Sequence, residues 1–424
     1  MINKITEILK TEGIEKYLIN QTEKSSSELF FIKKKLDVRR TKNITDYKVT
    51  VYRDFEKDGE KLTGSAAADI FPTMADEEVR EKLIEAYFAA QFAANPYFEL
   101  VRGDGKTVTH DSAVSYSTED AARSMAKALF SADTDEEAFI NSAEIFAVNE
   151  KIRIINSDGV DVAFNKFDIN GEFVTQCKTE EDVELHYSFD YDCVNENAIA
   201  EKAAEGIKAA KDRSVAKRCL ESGNYDVILS GEELAEILSY YTFRANSAYI
   251  YAKYSDYSVG TNVQGGETMG EKLNIVCAAT QPYSSEGIKM SDLKLIENGE
   301  LKAIHGENRF AQYLDIAPTG IYEKIKLEAG SESLEAMKKK PYLQAMKFSD
   351  FQMDPFTGHF GGEIRLAYLF DGNGVTKVTG GSVNGIITKA HKNLVFSEER
   401  YSDSHYEGPF AVKIENVAVA GSGE

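Results

Sequence analysis

The chain has 424 residues, 42% of them hydrophobic and 11% aromatic, with 49 Lys+Arg against 70 Asp+Glu for a formal charge of −21. That apolar share excludes a disordered chain, and the charge disfavours general binding to phosphate backbones, leaving room only for a local basic patch. The length allows about two or three domains, each large enough to bury a core.

Ile5, Ile8, Leu9 and Ile14 fall at helical spacing and predict an amphipathic helix over 2–19. From Ser27 the period changes: Leu29, Phe31, Tyr47, Val49 and Val51 alternate with polar residues, as in strands. Lys57-Asp58-Gly59 closes a hairpin whose returning strand is Ser65–Ile70. A helix over Met74–Ala94 opens on Asp76-Glu77-Glu78 and stops before Pro96. Another covers about Glu119–Phe130. Residues 144–192 read as strands: Ile152 and Ile154, the turn Asn156-Ser157-Asp158-Gly159, then Val160, Val162 and Phe164, followed by Phe167–Lys178 and Val183–Tyr191. The charged, Ala-rich segment Glu196–Leu220 is helical and ends at Gly223.

Beyond it come a short strand, Tyr225–Leu229, and a helix, Gly231–Asn246. From Tyr254 onward glycine is dense and the texture strand-like, with one helical interruption around Glu332–Lys339. A hairpin pairs Glu363–Phe370 with Val375–Val383 across Asp371-Gly372-Asn373-Gly374, with Ile364, Leu366, Tyr368 and Phe370 on one face. The expected class is α+β: an N-terminal α+β domain over 1–195, a connecting helix over 196–223 and a larger β-rich domain over 224–424.

Cys177, Cys193, Cys219 and Cys277 form no CxxC pair, and so few thiols make no disulfide framework, as in a reducing compartment. The opening MINKITEILKTEG lacks the apolar run of a signal peptide, and no stretch approaches the ~18 apolar residues that span a bilayer. The expected location is the cytoplasm, with no membrane contact.

Chemical motifs are tested by what each chemistry needs. A zinc helix of the HExxH kind needs His followed directly by Glu, whereas the six histidines precede Asp111, Tyr187, Gly306, Phe360, Lys392 and Tyr406. The pair His391 and His405, 14 residues apart, reads as surface histidines. Gly265–Lys272 (GGETMGEK) imitates a phosphate cradle but puts Glu271 where the Lys belongs, so it reads as a glycine-bearing turn. Gly380–Gly385 misses the nucleophile-elbow spacing by one position and reads as a bulged or closely packed strand. Asp54–Gly59 starts like a calcium loop but has Ser65 where the bidentate Glu should stand, so it reads as a hairpin turn. Cys219 and Cys277 have no neighbouring base and read as buried structural thiols. With 70 acidic residues, paired-carboxylate catalysis cannot be picked out, and most of them read as solvated surface. Tyr240, Tyr241, Tyr249, Tyr251, Tyr254 and Tyr257 fit either ordinary core or a groove or subunit interface.

Three stretches carry a family resemblance. IINSDGVDVAF (154–164) is followed by the long helix Glu196–Leu220; DVILSGEELAEILSYY leads into SDYSVGTNVQGGETMGEKLNIV; and MDPFTGHFGGEIRLAYLFDGNGVTKVTGGSVNGII spans 353–387. Together these resemble the TldD/PmbA family, known as modulators of DNA gyrase, through its Asn-Ser-x-Gly turn, its Asp-Pro-x-Thr-Gly-x-Phe run and its closing glycine-bearing strand. The resemblance implies a central cavity and, in active members, zinc peptidases of unfolded or small peptides. There a TldD subunit with an HExxxH helix and a Cys ligand pairs with a metal-free PmbA (TldE) subunit. Here the corresponding helix reads Ser239-Tyr240-Tyr241-Thr242-Phe243-Arg244, which places Ser239 and Arg244 at the ligand positions and Tyr240 at the catalytic Glu. No Cys follows Cys277. The resemblance therefore implies a PmbA/TldE-like subunit with no catalytic, metal-binding or cofactor-binding residues, zinc being expected only in a TldD-like partner. A stand-alone peptide-binding homodimer and a peptidase with an atypical metal site are the alternatives.

Overall fold

Residues 1–110, 117–179 and 181–423 are described by the structure, a computed structural model. The opening helix α1 covers only Ile2–Thr11. Gly13 at φ 69 breaks it, and the chain continues as strand from Lys16. β1 (Lys16–Ile32) and β2 (Lys35–Lys57) form a long antiparallel ribbon. The next turn is as the sequence indicates: Asp58 (φ 54) and Gly59 (φ 83) both take positive φ, the geometry a two-residue hairpin needs, and β3 (Glu60–Ile70) returns. α2 covers Asp76–Ala90, ending short of Ala94 because Asn95–Pro96 (β4) is already extended and paired with Leu62 and Thr63.

β5 (Val108–His110) precedes α3 (Thr118–Ser131), where Ser117 caps the helix by accepting the Asp120 N–H at 3.1 Å. Next in the chain are β6 (Ala138–Asn156), β7 (Asp161–Lys178), β8 (Asp182–Tyr191) and α4 (Glu196–Ser214). β7 is one strand where two were expected. α4 stops at Ser214 rather than Leu220, and Lys217 instead bridges to Val378.

These strands make an eight-stranded sheet in the order β4-β3-β2-β1-β6-β7-β5, with β8 also on β7. Its two faces separate by residue parity, as the pleat requires. Ile19, Val49 and Val51 pack under Leu9 of α1 and Leu83 of α2, while Ile145, Ile169 and Phe173 pack under Met125 of α3 and Ile207 of α4. Leu18, Tyr52, Ile154 and Phe164 on the other face pack against Tyr283 and Tyr313 from the C-terminal half.

The second half begins with β9 (Gly223–Ser230), α5 (Glu232–Arg244) and α6 (Ser247–Tyr251). A six-stranded sheet uses β10 (Ile275–Ala278), β11 (Leu293–Glu297), β12 (Glu300–Leu301), β13 (Lys324–Leu327), β19 (Arg400–Ser402) and β20 (Tyr406–Pro409). α7 (Asn308–Tyr313) and α8 (Leu334–Met337) interrupt it. The last sheet combines β9 with β14 (Tyr342–Met353), β15 (His359–Phe370), β16 (Val375–Val378), β17 (Ser382–Ile386), β18 (Val395–Phe396) and β21 (Ala411–Ala420), with α9 (Ile387–Ala390) after β17. Its path β14-β9-β21-β17-β15 closes on itself, because β14 also pairs with β15. The ring encloses Val227, Leu343, Phe360, Ile364, Val383 and Ile414, against Ile237, Leu238 and Tyr241 of α5.

The 363–383 hairpin pairs as expected, with one interruption and one correction. Gly380 and Gly381, at φ 79 and 82, break the second strand after Val378, and Ser382 and Val383 resume the same antiparallel register on the same edge of β15 (Ala367↔Val378, Glu363↔Ser382). Ile364 and Leu366 do not share a face: register shifts between Ala345 and Phe348 turn Ile364 into the ring while Leu366 and Tyr368 pack toward α4. The fold is β-rich α+β.

Candidate functional site

α5 lies where the family resemblance expects a zinc helix. The Ser239 hydroxyl donates to the Glu236 carbonyl at 2.7 Å, a bond within the helix's own backbone. Arg244 donates through Nη1 to the Tyr254 carbonyl at 2.7 Å, pairs through Nη2 with Asp256, and lies over the Tyr257 ring at 5.3 Å. Tyr240 is 5% exposed and packs edge-on to Tyr241. A hydroxyl turned into its helix, a fixed cation and a phenol do not fit Zn²⁺, which needs imidazole, thiolate or carboxylate donors. Among the described residues no group of three or more His, Cys, Asp or Glu could hold a metal.

The turn Asp354–Gly358 is seated on this helix. Asp354 accepts the Phe356 N–H at 2.9 Å and the Thr357 hydroxyl at 2.5 Å, and these bonds hold its carboxyl below the usual carboxylate range. The Met353 N–H donates to Glu236 at 3.2 Å. Gly358, at φ 74, lies so close that a Cβ would stand 3.4 Å from the Tyr240 ring. Phe356 meets Phe243 edge-on at 5.1 Å, and Phe243 stacks on Tyr249 at 3.7 Å. The motif that most marks the family thus buttresses the helix that in this chain carries aromatic rings.

The tyrosine run divides. Tyr240, Tyr241 and Tyr257 are core, Tyr249 is half-buried, and Tyr251 and Tyr254 are exposed. The histidines also divide. His391 is buried, with Nδ1 at 3.1 Å from the Tyr241 hydroxyl, which corrects its reading as a surface residue; His405 is exposed. Cys277 is buried as expected, but Cys219 is exposed and lies outside any helix. Gly265 and Gly266 sit in a loop at φ 62 and 92. Gly385 is in a closely packed strand, as expected: a Cβ there would fall 2.1 Å from the Phe360 ring. The turn 156–159 is tied by Asn156, whose Oδ1 accepts the Asp158 and Val160 N–H groups, each at 2.9 Å.

A cavity of about 530 Å³, whose lining residues the sequence reading did not pick out, opens against β6, β7 and β8 and is bordered by Tyr401, Asp403 and His405 from the second half. Glu144, Glu172, Asp190, Glu232 and Asp403 line it, with Lys202 and His405 as its cations. Lys202 pairs with Glu232, and His405 Nε2 lies 3.3 Å from Asp190. Burial drives the Tyr401 phenol far upward, helped by Asp403 and Glu232. The surplus of carboxylates makes the cavity attract cations, and its oxygens can accept hydrogen bonds from amide or ammonium donors. Beside it, burial pushes Glu233, in the first turn of α5, up to about 7, partly opposed by Lys347.

The His405–Asp190 pair joins the two halves and gives a pH prediction. The Asp190 hydrogen bond raises His405 above the ordinary histidine range, against a smaller downward push from burial. A folded value above the unfolded one stabilises fully below about pH 6.5, and the contribution is lost as pH rises through the folded value. Thermal unfolding of the chain and of His405→Gln from about pH 5 to about pH 9 should show the gap between them closing toward high pH. Because both groups are partly exposed, salt should also narrow it.

In fold the whole chain is similar to TldE from Thermococcus kodakarensis, with a TM-score of 0.78 at 15% identity over 99% of this chain and 100% of that one. It is also similar to a protein described as a modulator of a DNA gyrase from Thermotoga maritima (TM-score 0.74, 17% identity, 99% of each chain). A third, described as a modulator of DNA gyrase from Bacteroides thetaiotaomicron, gives a TM-score of 0.73 at 15% identity over 99% of this chain and 98% of that one. No curated protein matches the sequence. Residues 222–421 match the PmbA/TldA metallopeptidase C-terminal domain, and together with the likeness in fold this supports the resemblance to the TldD/PmbA family.

Proposed function

We propose that the chain is a non-catalytic, PmbA/TldE-like subunit of a zinc peptidase complex acting on unfolded or small peptides in the cytoplasm. In this reading residues 1–195 and 224–424 are its two domains, joined through 196–223. The observation that carries it is the state of α5: the two ligand positions hold Ser239, bonded to its own helix, and Arg244, clamped to Asp256 and Tyr254. The zinc would belong to a TldD-like partner, and this subunit would hold substrate. The carboxylate- and tyrosine-lined cavity supports that role, since peptides bring N–H and ammonium donors.

The test is to purify the chain, measure bound zinc, and assay cleavage of an unstructured peptide alone and with an HExxxH-bearing paralogue from the same genome. Substoichiometric zinc, no cleavage alone, and cleavage by the stable mixture are expected. Stoichiometric zinc or cleavage by the chain alone would sink the proposal. Failure to associate with the paralogue would leave the stand-alone peptide-binding homodimer.

A further inference from the structure

The β1–β2 ribbon extends beyond its neighbour on one side. β2 pairs with β1 from Lys35 to Tyr52, but β3 covers only Tyr47–Lys57. Among the described residues, the outer edge of β2 over 35–46 therefore has no strand beside it. Its backbone N–H and C=O groups form a ready template for another strand.

The chemistry of this edge is the reverse of the chain's. In a protein of charge −21, residues 33–42 carry Lys33, Lys34, Lys35, Arg39, Arg40 and Lys42 against the single acid Asp37. Part of this charge is used internally, since Arg40 and Lys42 both pair with Glu28, and Arg39 pairs with Glu119. Glu28 therefore meets two cations, and Lys35 adds another with its side chain exposed. Three apolar side chains stand on the same edge: Leu36, Val38 and Ile44 are 43%, 46% and 45% exposed. Val38 also borders a hollow of about 420 Å³ that includes Phe30 and Ile32.

Lysines on an edge ordinarily guard against pairing. Here they guard against one class of partner. A second copy laid on this edge would set Lys35, Arg39, Arg40 and Lys42 against like charges, whereas an acidic strand would meet opposite charges in cross-strand pairs. The three apolar residues serve no guarding purpose and suit a strand with apolar side chains. A phosphate backbone or anionic bilayer would neutralise the cations but leave the backbone groups unpaired, and would face the repulsion of the remaining acidic surface.

We propose that residues 35–46 of β2 are a docking edge for an extended strand of another protein that mixes acidic and apolar side chains, joining the sheet by backbone hydrogen bonds. On the face shown by Val38, Arg40, Lys42 and Ile44, the incoming strand would carry apolar residues opposite Val38 and Ile44 and acids opposite Arg40 and Lys42, while the register shift at Phe30/Phe31 turns Leu36 to the other face. No residue of 35–46 lines the cavity or belongs to α5, although Glu144 borders both the cavity and the hollow beside Val38, and the proposal does not depend on the peptidase-subunit reading.

The test uses the full chain and a fluorescein-labelled peptide with Glu and Val in that pattern, beside a probe with every Glu changed to Lys. Anisotropy should show binding of the Glu probe alone, weakening with salt, and hydrogen exchange should slow at amides 35–46. Lys35→Glu with Leu36→Asp should weaken binding by about tenfold or more without moving the thermal midpoint. Lys35→Glu alone, a surface change, keeps the test valid if the double variant is unstable. Equal binding of both probes, no binding, protection elsewhere, or insensitivity to these variants would overturn the proposal. So would capture of duplex DNA or phosphatidylglycerol vesicles in place of the Glu probe.

Discussion

Phe360→Ala is expected to lower the stability of the chain by about 3–5 kcal/mol, the cost of emptying a large buried aromatic site. Phe360 is fully buried inside the closed ring of strands, and its ring occupies the space that Gly385 leaves open on the neighbouring strand. The reciprocal change, Gly385→Ala, should cost about 1–3 kcal/mol or more, because its Cβ would come within 2.1 Å of that ring. The two sites are therefore coupled. Phe360→Leu combined with Gly385→Ala should be less destabilised than the sum of the single changes. Urea unfolding of the four proteins measures this directly, and additivity within a few tenths of a kcal/mol would mean the contact does not limit packing.

Tyr241→Ala is expected to cost a similar amount, about 3–5 kcal/mol, by removing a fully buried side chain from α5. Tyr241→Phe isolates the polar part. Burial pulls His391 down to about 4, so its ring is neutral near pH 7, and the Tyr241 hydroxyl is the partner of its Nδ1. Losing that hydroxyl should cost about 1–3 kcal/mol, the penalty of an unpaired buried polar atom. Thermal or urea unfolding at pH 7 separates the two variants. A Phe variant as stable as the parent would show that the bond contributes nothing.

Turns were the most legible part of the sequence, because their signals are local. Asp58-Gly59 needs two positive φ angles and Asn156 needs two nearby N–H groups, and both requirements are met within a few residues. The run at Asp354 entered only through the family resemblance, and its turn, in which Asp354 accepts the Phe356 N–H and the Thr357 hydroxyl, is a finding of the structure. Element ends were less so. The apolar spacing of Ile5 to Ile14 continues past Gly13, where tertiary pairing draws Lys16 onward into a strand with partners on both sides. The composition of 215–220 favours helix, but Lys217 bridges to Val378, a partner more than 150 residues away. The cavity had no local signature. Glu144, Glu172, Asp190, Glu232 and His405 come from five separate segments, and only the strand register brings them together. The burial of His391 depended on Tyr241, 150 residues earlier.

The place of β1 in the sheet also has a kinetic consequence. β1 lies between β2, its immediate successor, and β6, paired from Leu18↔Asn156 to Ile32↔Ser142. During synthesis the β1–β2 ribbon emerges with one edge waiting for residues over a hundred positions later, on the order of ten seconds at ordinary elongation rates. Pairings so distant in sequence carry a large loop-closure cost and set a slow folding rate. Until β6 arrives, Ile19 and Leu29 have no strand beside them on that edge, and the nascent ribbon is open to wrong pairing or to capture by a chaperone.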